Sequence, residues 1–266
     1  MSAERWRLID TGPGDAFFNM ALDEAIASLT IEKGAPPTLR VYRWSRPSVT
    51  LGRFQRATDV DSEICATRGI PVVRRPTGGR AILHGDELTY SFSSPSSTGP
   101  VTGGLFRSYA ALSKVFLLAF LSLGLDVEAS GRKRGIRPDR SPLCFSSTSF
   151  GEITLGGRKI IGSAQRRWPG GMLQQGSIPL EPLRHDNMDI FFRTLKHGGN
   201  EEKSLMGLHE VDTSITYESL KLALLKGFQQ SIGISLIETP PSAQEIETAS
   251  ILEKNKYSRA QWNHKR

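Results

Sequence analysis

The first part of the chain alternates between short apolar runs and longer segments with one apolar face. Apolar runs of strand length lie at residues 6–10, 38–44 and 48–51. Apolar side chains recur at helical spacing in residues 16–30 and 59–68, which predicts a long helix and a short one. Strands and helices are therefore interleaved from the beginning, and a mixed α and β core is expected.

The same alternation continues towards the C-terminus. Two apolar runs, 70–73 and 81–83, predict strands on either side of a glycine pair. The longest helical pattern covers residues 106–123. Residues 213–232 and 244–256 also have helical periodicity, and we expect those helices to cover the sheet rather than to carry catalytic groups.

The segment between the two middle strands has the composition of a binding turn. Residues 74–84 read Arg-Arg-Pro-Thr-Gly-Gly-Arg-Ala-Ile-Leu-His. Consecutive glycines let the bare backbone approach a ligand, and the three arginines supply fixed positive charge beside it. This predicts a docking site for an anionic or acyl-carbonyl group. An ordinary β-hairpin with solvated arginines is the structural alternative.

Two later segments contain candidate catalytic side chains. Cys144 lies in a Ser- and Thr-rich stretch, and five Arg or Lys residues between positions 132 and 140 would lower the pKa of its thiol. Most lone cysteines are instead buried small hydrophobes, as expected for Cys65 on its apolar helix face. Gly156-Gly157 predicts a hairpin with Lys159 on its second strand, where a lysine is ordinarily an exposed edge charge.

Composition narrows the class of protein. The chain has 266 residues, of which 38% are hydrophobic, and this predicts one domain. The longest apolar run, 115–125, is too short to span a membrane, and the N-terminus has no apolar segment of a secretory signal. We therefore expect a cytoplasmic protein with two free thiols. A net charge of +7 suits acidic protein partners, and no nucleic-acid-binding motif accompanies it.

Several of these motifs occur in the order found in a known family. Residues 19–25, 74–92, 156–165 and 174–180 resemble the lipoate-attachment family, which includes lipoate-protein ligases, octanoyltransferases and, more remotely, biotin-protein ligases. Arg80 replaces the glycine usual in ligases. The Cys144-Phe145 pair, followed by Ser149 and Glu152, is similar to the octanoyltransferase branch with a mid-chain cysteine.

The resemblance implies an architecture. It implies an α+β fold, with mixed and antiparallel sheets flanked by helices, of the type found in biotin/lipoate-protein ligase catalytic domains. Residues 1–266 would form a single such domain without a C-terminal accessory domain. Asp23 and Glu24, within the first motif, read as ordinary helix charges, and we expect no chemistry from them.

The resemblance also implies a reaction. Octanoate would move from an acyl carrier protein to a lysine of a lipoyl domain or of the glycine cleavage H protein, through a thioester on Cys144 assisted by Lys159. No cofactor, metal, nucleic acid or membrane is expected to take part. His84 fits a pocket wall or a structural hydrogen-bond donor. The expected substrate-binding residues are Arg75, Thr77, Gly78, Gly79, Arg80, His84, Gly162, Ser163 and Ala164.

Three alternatives share parts of this pattern. An ATP-dependent lipoate-protein ligase would use the glycine turn and Lys159 to hold an acyl-adenylate, with Mg²⁺ and without a cysteine. An octanoyl amidotransferase would use the same cysteine chemistry but a different donor. A non-enzymatic carrier-binding module would need neither Cys144 nor Lys159.

Overall fold

A computed structural model describes residues 5–98, 102–129, 153–182, 189–191 and 206–265. The strands are β1 (Arg5–Gly14), β2 (Thr38–Trp44), β3 (Ser48–Leu51), β4 (Val72–Arg74), β5 (Ile82–His84), β6 (Glu87–Pro95), β7 (Val127–Ala129), β8 (Ile153–Leu155), β9 (Arg158–Lys159), β10 (Gly162–Trp168), β11 (Gly171–Pro179) and β12 (Ser235–Glu238). The helices are α1 (Ala16–Glu32), α2 (Ser62–Thr67), α3 (Leu105–Ser122), α4 (Tyr217–Ile232), α5 (Ala243–Leu252) and α6 (Ala260–Asn263), with a π-helical turn at Glu253–Tyr257.

The strands form one large sheet and two small ones. The large sheet has the order β10-β11-β6-β2-β1-β12, with parallel pairing among β12, β1 and β2 and antiparallel pairing elsewhere. The small sheets have the orders β4-β3-β5 and β7-β8-β9. This confirms the expected α+β class with mixed sheets.

The two faces of the large sheet differ in chemistry. On β6, Leu88, Tyr90 and Phe92 belong to the core cluster that α3 and α4 complete on one face. The intervening positions, including Thr89 and Ser91, are polar and buried, and they point to the opposite face, where α1 packs. The sheet therefore has a dry apolar face and a buried polar face.

Helix α3 is long and apolar enough to cross a bilayer by length and composition alone. Its buried residues Leu112, Val115, Phe116 and Ala119 recur at helical spacing and join the core cluster with α4. Core packing therefore accounts for the apolar residues on the buried face of this helix, as the sequence pattern predicted.

Most element predictions are confirmed, with differences at the ends. Helix α4 begins at Tyr217 rather than near 213, because Thr216 caps it through a hydrogen bond from the Ser219 N–H. The Gly156-Gly157 hairpin is present, and both glycines have positive φ, of 56° and 78°. The terminal helix is shorter than predicted because it passes into the π-helical turn.

The strands beside the glycine pair are not a hairpin. Strand β4 pairs in parallel with one edge of β3, and β5 pairs antiparallel with its other edge. The glycine-containing segment therefore crosses over β3, which excludes the hairpin alternative.

We expect Gly227→Ala to destabilise the protein by about 1 to 3 kcal/mol, because a Cβ at this position would lie 2.4 Å from the Val115 carbonyl oxygen of α3. Helix propensity alone would favour Ala by about 1 kcal/mol, so the steric effect decides the sign. Urea denaturation measures the change. The exposed position Gln230 on the same helix supplies the control, since Gln230→Ala should leave stability nearly unchanged. A more stable Gly227→Ala variant would contradict the close helix contact.

Candidate active site

A pocket of about 330 Å³, counting the space at its mouth, lies on the polar face of the large sheet. Its volume is at the lower end of the range of small-molecule sites. Helix α1, the sheet β4-β3-β5 and strands β2, β6, β10 and β11 all contribute side chains. The lining residues are Met20, Tyr42, Trp44, Thr50, Arg75, Ile82, His84, Thr89, Gly162, Ser163, Ala164, Gln175, Gly176 and Ser177.

Five of the sequence-predicted binding residues line this pocket, and four others lie in the turn beside it. Those lining it are Arg75, His84, Gly162, Ser163 and Ala164. The turn comprises Thr77, Gly78, Gly79 and Arg80 and is joined to the lining because the Thr77 hydroxyl donates to the Gln175 side-chain oxygen at 2.8 Å. Segments far apart in sequence therefore meet at one place.

Arg75 holds the turn in shape. Its guanidinium is buried and donates to the carbonyl oxygens of Gly78 and Arg80, both at 2.7 Å from Nη2. On its other side Nη1 donates to the Thr50 carbonyl and hydroxyl oxygens at 3.2 and 3.1 Å. Two turn carbonyls are thus oriented towards Arg75, which fixes the peptide planes between them.

The loop that follows β3 packs against this turn with almost no space between the two backbones. A Cβ on Gly52 would lie 1.8 Å from the Gly79 carbonyl oxygen, so Gly52 must lack a side chain. Gly79 has φ of 86°, in the left-handed region. Arg53, which follows Gly52, donates its backbone N–H to the Thr77 carbonyl oxygen at 2.8 Å. The turn is therefore clamped by backbone as well as by Arg75.

Arg74 supports the site from behind. Its side chain is fully buried and donates to the carbonyl oxygens of Gly52 and Gln55, each at 2.7 Å, and to that of Asn263 at 3.0 Å. These contacts join β4, the 52–55 loop and the C-terminal helix α6. Arg74 is thus a structural residue. The sequence pattern suggested that its charge faces a ligand, but Arg74 does not line the pocket.

His84 is both a pocket wall and a hydrogen-bonded structural residue. Its ring stacks on Trp44 at 4.0 Å between centroids. Nδ1 lies 2.8 Å from Glu87 Oε1, and Nε2 lies 2.8 Å from Thr50 Oγ1. Burial acts to raise the pKa of the Glu87 carboxyl, but the His84 charge and hydrogen bonds from His84, Thr89 and Ser177 together lower it. An ionised Glu87 therefore accepts from Nδ1 and orients the ring.

Asp23 is the largest departure from the sequence-based expectation, because it is not an ordinary helix charge. It is completely buried and accepts from Arg40 Nη1 at 2.7 Å and from Ser91 Oγ at 2.6 Å. Its second oxygen accepts from Tyr42 Oη at 2.9 Å and from Gln175 Nε2 at 2.7 Å. Burial, followed by the Asp23 charge, raises the pKa of Tyr42 well above its usual value, so the phenol stays a donor.

These contacts order the pocket wall. Gln175 donates to Asp23 and accepts from Thr77, so its amide can take only one orientation. Sequence reasoning missed Asp23, Gln175 and Thr50. The available signal for Gln175 was a polar pair inside the strand-like run 172–180, where an unpaired buried amide would be costly.

Glu24 likewise has specific partners. Its carboxylate accepts from Lys256 and Tyr257 of the π-helical turn and lies 3.4 Å from Arg166 Nη1. This carboxylate therefore connects α1 to β10 and to the C-terminal segment.

Of the two expected catalytic residues, the structure describes Lys159 but not Cys144. Lys159 is 4% exposed on β9, not the exposed edge charge that an isolated strand lysine usually is. It pairs across the ladder with Thr154 of β8, and Gly162 of the pocket follows three residues later. Cys144 lies outside the described residues; β8 begins nine residues after it. Cys65 is buried, as predicted, and burial raises its pKa to about 11.

We expect Glu87→Gln to reduce stability at neutral pH, with a difference from wild type that narrows below about pH 4.5. The folded-state pKa of Glu87 lies below the ordinary glutamate value of 4.5, so its stabilising effect is present above that pH and is lost as pH falls through the folded pKa. Unfolding free energies across pH 3 to 7 measure this, with exposed Glu247→Gln as the control. A difference that does not change with pH would show that Glu87 is not ionised.

Comparison with known proteins shows which proteins this chain is similar to. The family model of the lipoyl protein ligase A/B catalytic domain matches residues 15–229. Octanoyltransferase LipM of Moorella thermoacetica is 39% identical, covering 100% of both chains, and that of Kyrpidia tusciae is 37% identical, covering 99% and 100%. A crystal structure of lipoate-protein ligase A bound with ATP has a TM-score of 0.80 and 25% identity over 98% of each chain.

A second solved structure agrees. A T. acidophilum protein described as a lipoate protein ligase, with bound lipoic acid, has a TM-score of 0.79 and 26% identity, covering 98% of this chain and 100% of its own. The fold expected from the sequence resemblance is thereby confirmed. The chain belongs to the lipoyl protein ligase A/B catalytic domain family.

Proposed function

We propose that this protein is an octanoyltransferase of lipoate biosynthesis, which moves an octanoyl group from acyl carrier protein to a lysine of a lipoyl domain or of the glycine cleavage H protein. The observation that carries the proposal is similarity over the full chain, at 34 to 39% identity, to several octanoyltransferases. The pocket supports it, because Met20, Ile82 and Ala164 provide apolar wall for an acyl chain.

The reaction proceeds in two steps. The Cys144 thiolate attacks the carbonyl carbon of the donor thioester, and the carrier thiol leaves with the bonding electron pair. The acceptor lysine amine then attacks the new thioester, loses a proton, and expels the Cys144 thiolate as the amide forms. No net oxidation or reduction occurs. Each step passes through a tetrahedral oxyanion.

The clamped turn is suited to stabilising that oxyanion. Peptide N–H groups of residues 77–80 are oriented because Arg75 donates to the Gly78 and Arg80 carbonyl oxygens and the Arg53 N–H donates to the Thr77 carbonyl oxygen. Preorganised donors of this kind are worth about 3 kcal/mol each in acyl transfer. The order provided by Asp23 and Gln175 serves this turn through Thr77.

Lys159 supplies the charge for the chemistry. A buried ammonium near a thiol favours the thiolate and polarises an acyl carbonyl. Once deprotonated, the same amine is a general base for the incoming lysine. The nearest described neighbours of Cys144 along the chain enter β8, whose partner strand carries Lys159.

The second candidate function is an ATP-dependent lipoate-protein ligase. Two similar structures are described as lipoate ligases, one bound with ATP and the other with lipoic acid. A ligase would bind an acyl-adenylate at the same turn with Mg²⁺ and would not require Cys144.

Residues 1–266 act as one catalytic domain in either case, and we propose the cytoplasm as its location.

Octanoyl-acyl carrier protein without ATP should form a covalent octanoyl adduct on the wild-type protein and none on Cys144→Ala, because only Cys144 is proposed as the nucleophile. Intact-protein mass spectrometry detects the adduct. Cys65→Ala is the matched control and should retain it, since burial and the raised pKa of about 11 keep that thiol inert. Loading of free octanoate or lipoate onto a lipoyl domain by Cys144→Ala, strictly dependent on ATP, would establish the ligase instead.

Gly52→Ala should slow formation of this adduct by about a hundredfold to a thousandfold, the range expected when an oxyanion donor is lost. The new methyl group would overlap the Gly79 carbonyl oxygen and displace the turn. Rapid-quench measurement of the single-turnover rate tests this. Gly85→Ala is the control, because a Cβ there meets no atom within 4 Å. A normal rate for a folded Gly52→Ala protein would remove the turn from the mechanism.

A further inference from the structure

A cluster of three cations, which we name the basic patch, lies beside the pocket and consists of Arg53, Arg166 and Lys256. Lys256 Nζ lies 4.1 Å from the ring centroid of Trp262, and the Arg53 guanidinium lies 5.8 Å from the same centroid. Arg166 and Lys256 share one carboxylate, that of Glu24. Two of the three positive charges therefore share one negative charge, and the third lies near the same aromatic ring as Lys256.

The elements that carry the basic patch also build the pocket. Arg166 follows Ala164 by two residues on β10, so both point to the same face of the sheet, about 7 Å apart along the strand. Glu24 is one helical turn, about 6 Å, beyond Met20 on α1. The Arg53 backbone is hydrogen-bonded to the Thr77 turn. The basic patch thus lies next to the residues that line the pocket.

The basic patch is electrostatically crowded. Burial lowers the pKa of Lys256, and the charges of Arg166 and Arg53 lower it further against the opposing effect of Glu24. Burial and the Arg53 charge also lower the pKa of Arg166. Such repulsion is relieved when an anion approaches. The side chains of Arg166 and Lys256 are 22% and 21% exposed, so their charges can be reached from solvent.

Aromatic surface extends the basic patch. Phe54 is 63% exposed, and its ring centroid lies 5.6 Å from the Arg53 guanidinium. Trp168 lies under the Arg166 guanidinium at 4.2 Å. An exposed aromatic ring next to cations is typical of a protein-binding surface rather than of a site for a single phosphate.

We propose that the basic patch docks the acidic protein surface of the acyl donor, a carrier protein, so that its acyl arm enters the neighbouring pocket. The proposal rests on the proposed function. Charge favours the donor over the acceptor, because the acceptor must bring a lysine ammonium to the pocket and three cations oppose it. The donor brings an uncharged thioester on an acidic protein, which the same cations attract.

Charge reversal at Arg53 tests the docking, because among the described residues its guanidinium lies against the rings of Phe54 and Trp262 and does not line the pocket. Arg53→Glu should weaken binding of holo-acyl carrier protein about tenfold or more at low salt, and Arg53→Gln should have an intermediate effect. Fluorescence anisotropy with a labelled carrier measures the dissociation constant without requiring turnover. Lys226→Glu, an exposed change on α4 across the sheet, is the control for total charge.

Kinetics locate the effect in the reaction. The second-order rate constant for acyl-enzyme formation should fall at least about tenfold with octanoyl-acyl carrier protein and less than about twofold with octanoyl-pantetheine, which lacks both protein and phosphate. Higher salt should reduce the difference between wild type and Arg53→Glu.

Three other outcomes would overturn the proposal, and a fourth would separate it from the transferase reaction. Equal loss with both donors would make Arg53 a pocket residue, and loss confined to transfer onto a lipoyl domain would assign the basic patch to the acceptor. Unchanged carrier binding by a folded Arg53→Glu protein would exclude docking here. Patch-dependent carrier binding without any acyl-enzyme on wild type would retain the docking surface and refute the transferase reaction.

Discussion

The pocket depends on one buried carboxylate. Asp23 takes four hydrogen bonds, from side chains of β2, β6 and β11, while lying on α1. A buried charge without partners would cost several kcal/mol, so α1 can dock on the sheet only in the position that supplies these donors. That docking also places Met20 in the pocket wall. The position of the helix and the shape of the cavity are consequently one constraint.

This constraint explains why one face of the sheet is polar. An entirely apolar interface would bind α1 without fixing its rotation or register. The hydrogen bonds of Asp23 and Arg40 are directional and form in only one orientation of the helix. The wall of the cavity is then rigid before any ligand arrives. A preorganised wall avoids the entropic cost of ordering side chains during binding.

Apolar periodicity predicted most of the helices and strands and the glycine turn between two of them, whereas the α+β class came from the resemblance to a known family. Residues 38–44 and 48–51 became strands as expected, since their apolar and β-branched side chains fit a buried sheet. The local sequence does not show which strands pair or which charged side chains meet. Nothing in the residues around 72–84 shows that β4 and β5 take opposite edges of β3, and nothing around Asp23 shows that an arginine 17 residues later will be buried against it. Those facts belong to the tertiary arrangement.

The contacts of Arg74 have a consequence for biosynthesis. The backbone N–H of Arg74 donates to Asn263 Oδ1, and Trp262 Nε1 donates to the Arg74 carbonyl oxygen, across 189 and 188 residues of sequence. A domain generally folds as a unit during synthesis, so contacts between distant segments form only after both segments have emerged. The strand that leads into the glycine turn therefore acquires these partners only after helix α6 has emerged from the ribosome. A nascent chain thus has no finished glycine turn until residues 260–263 have been synthesised.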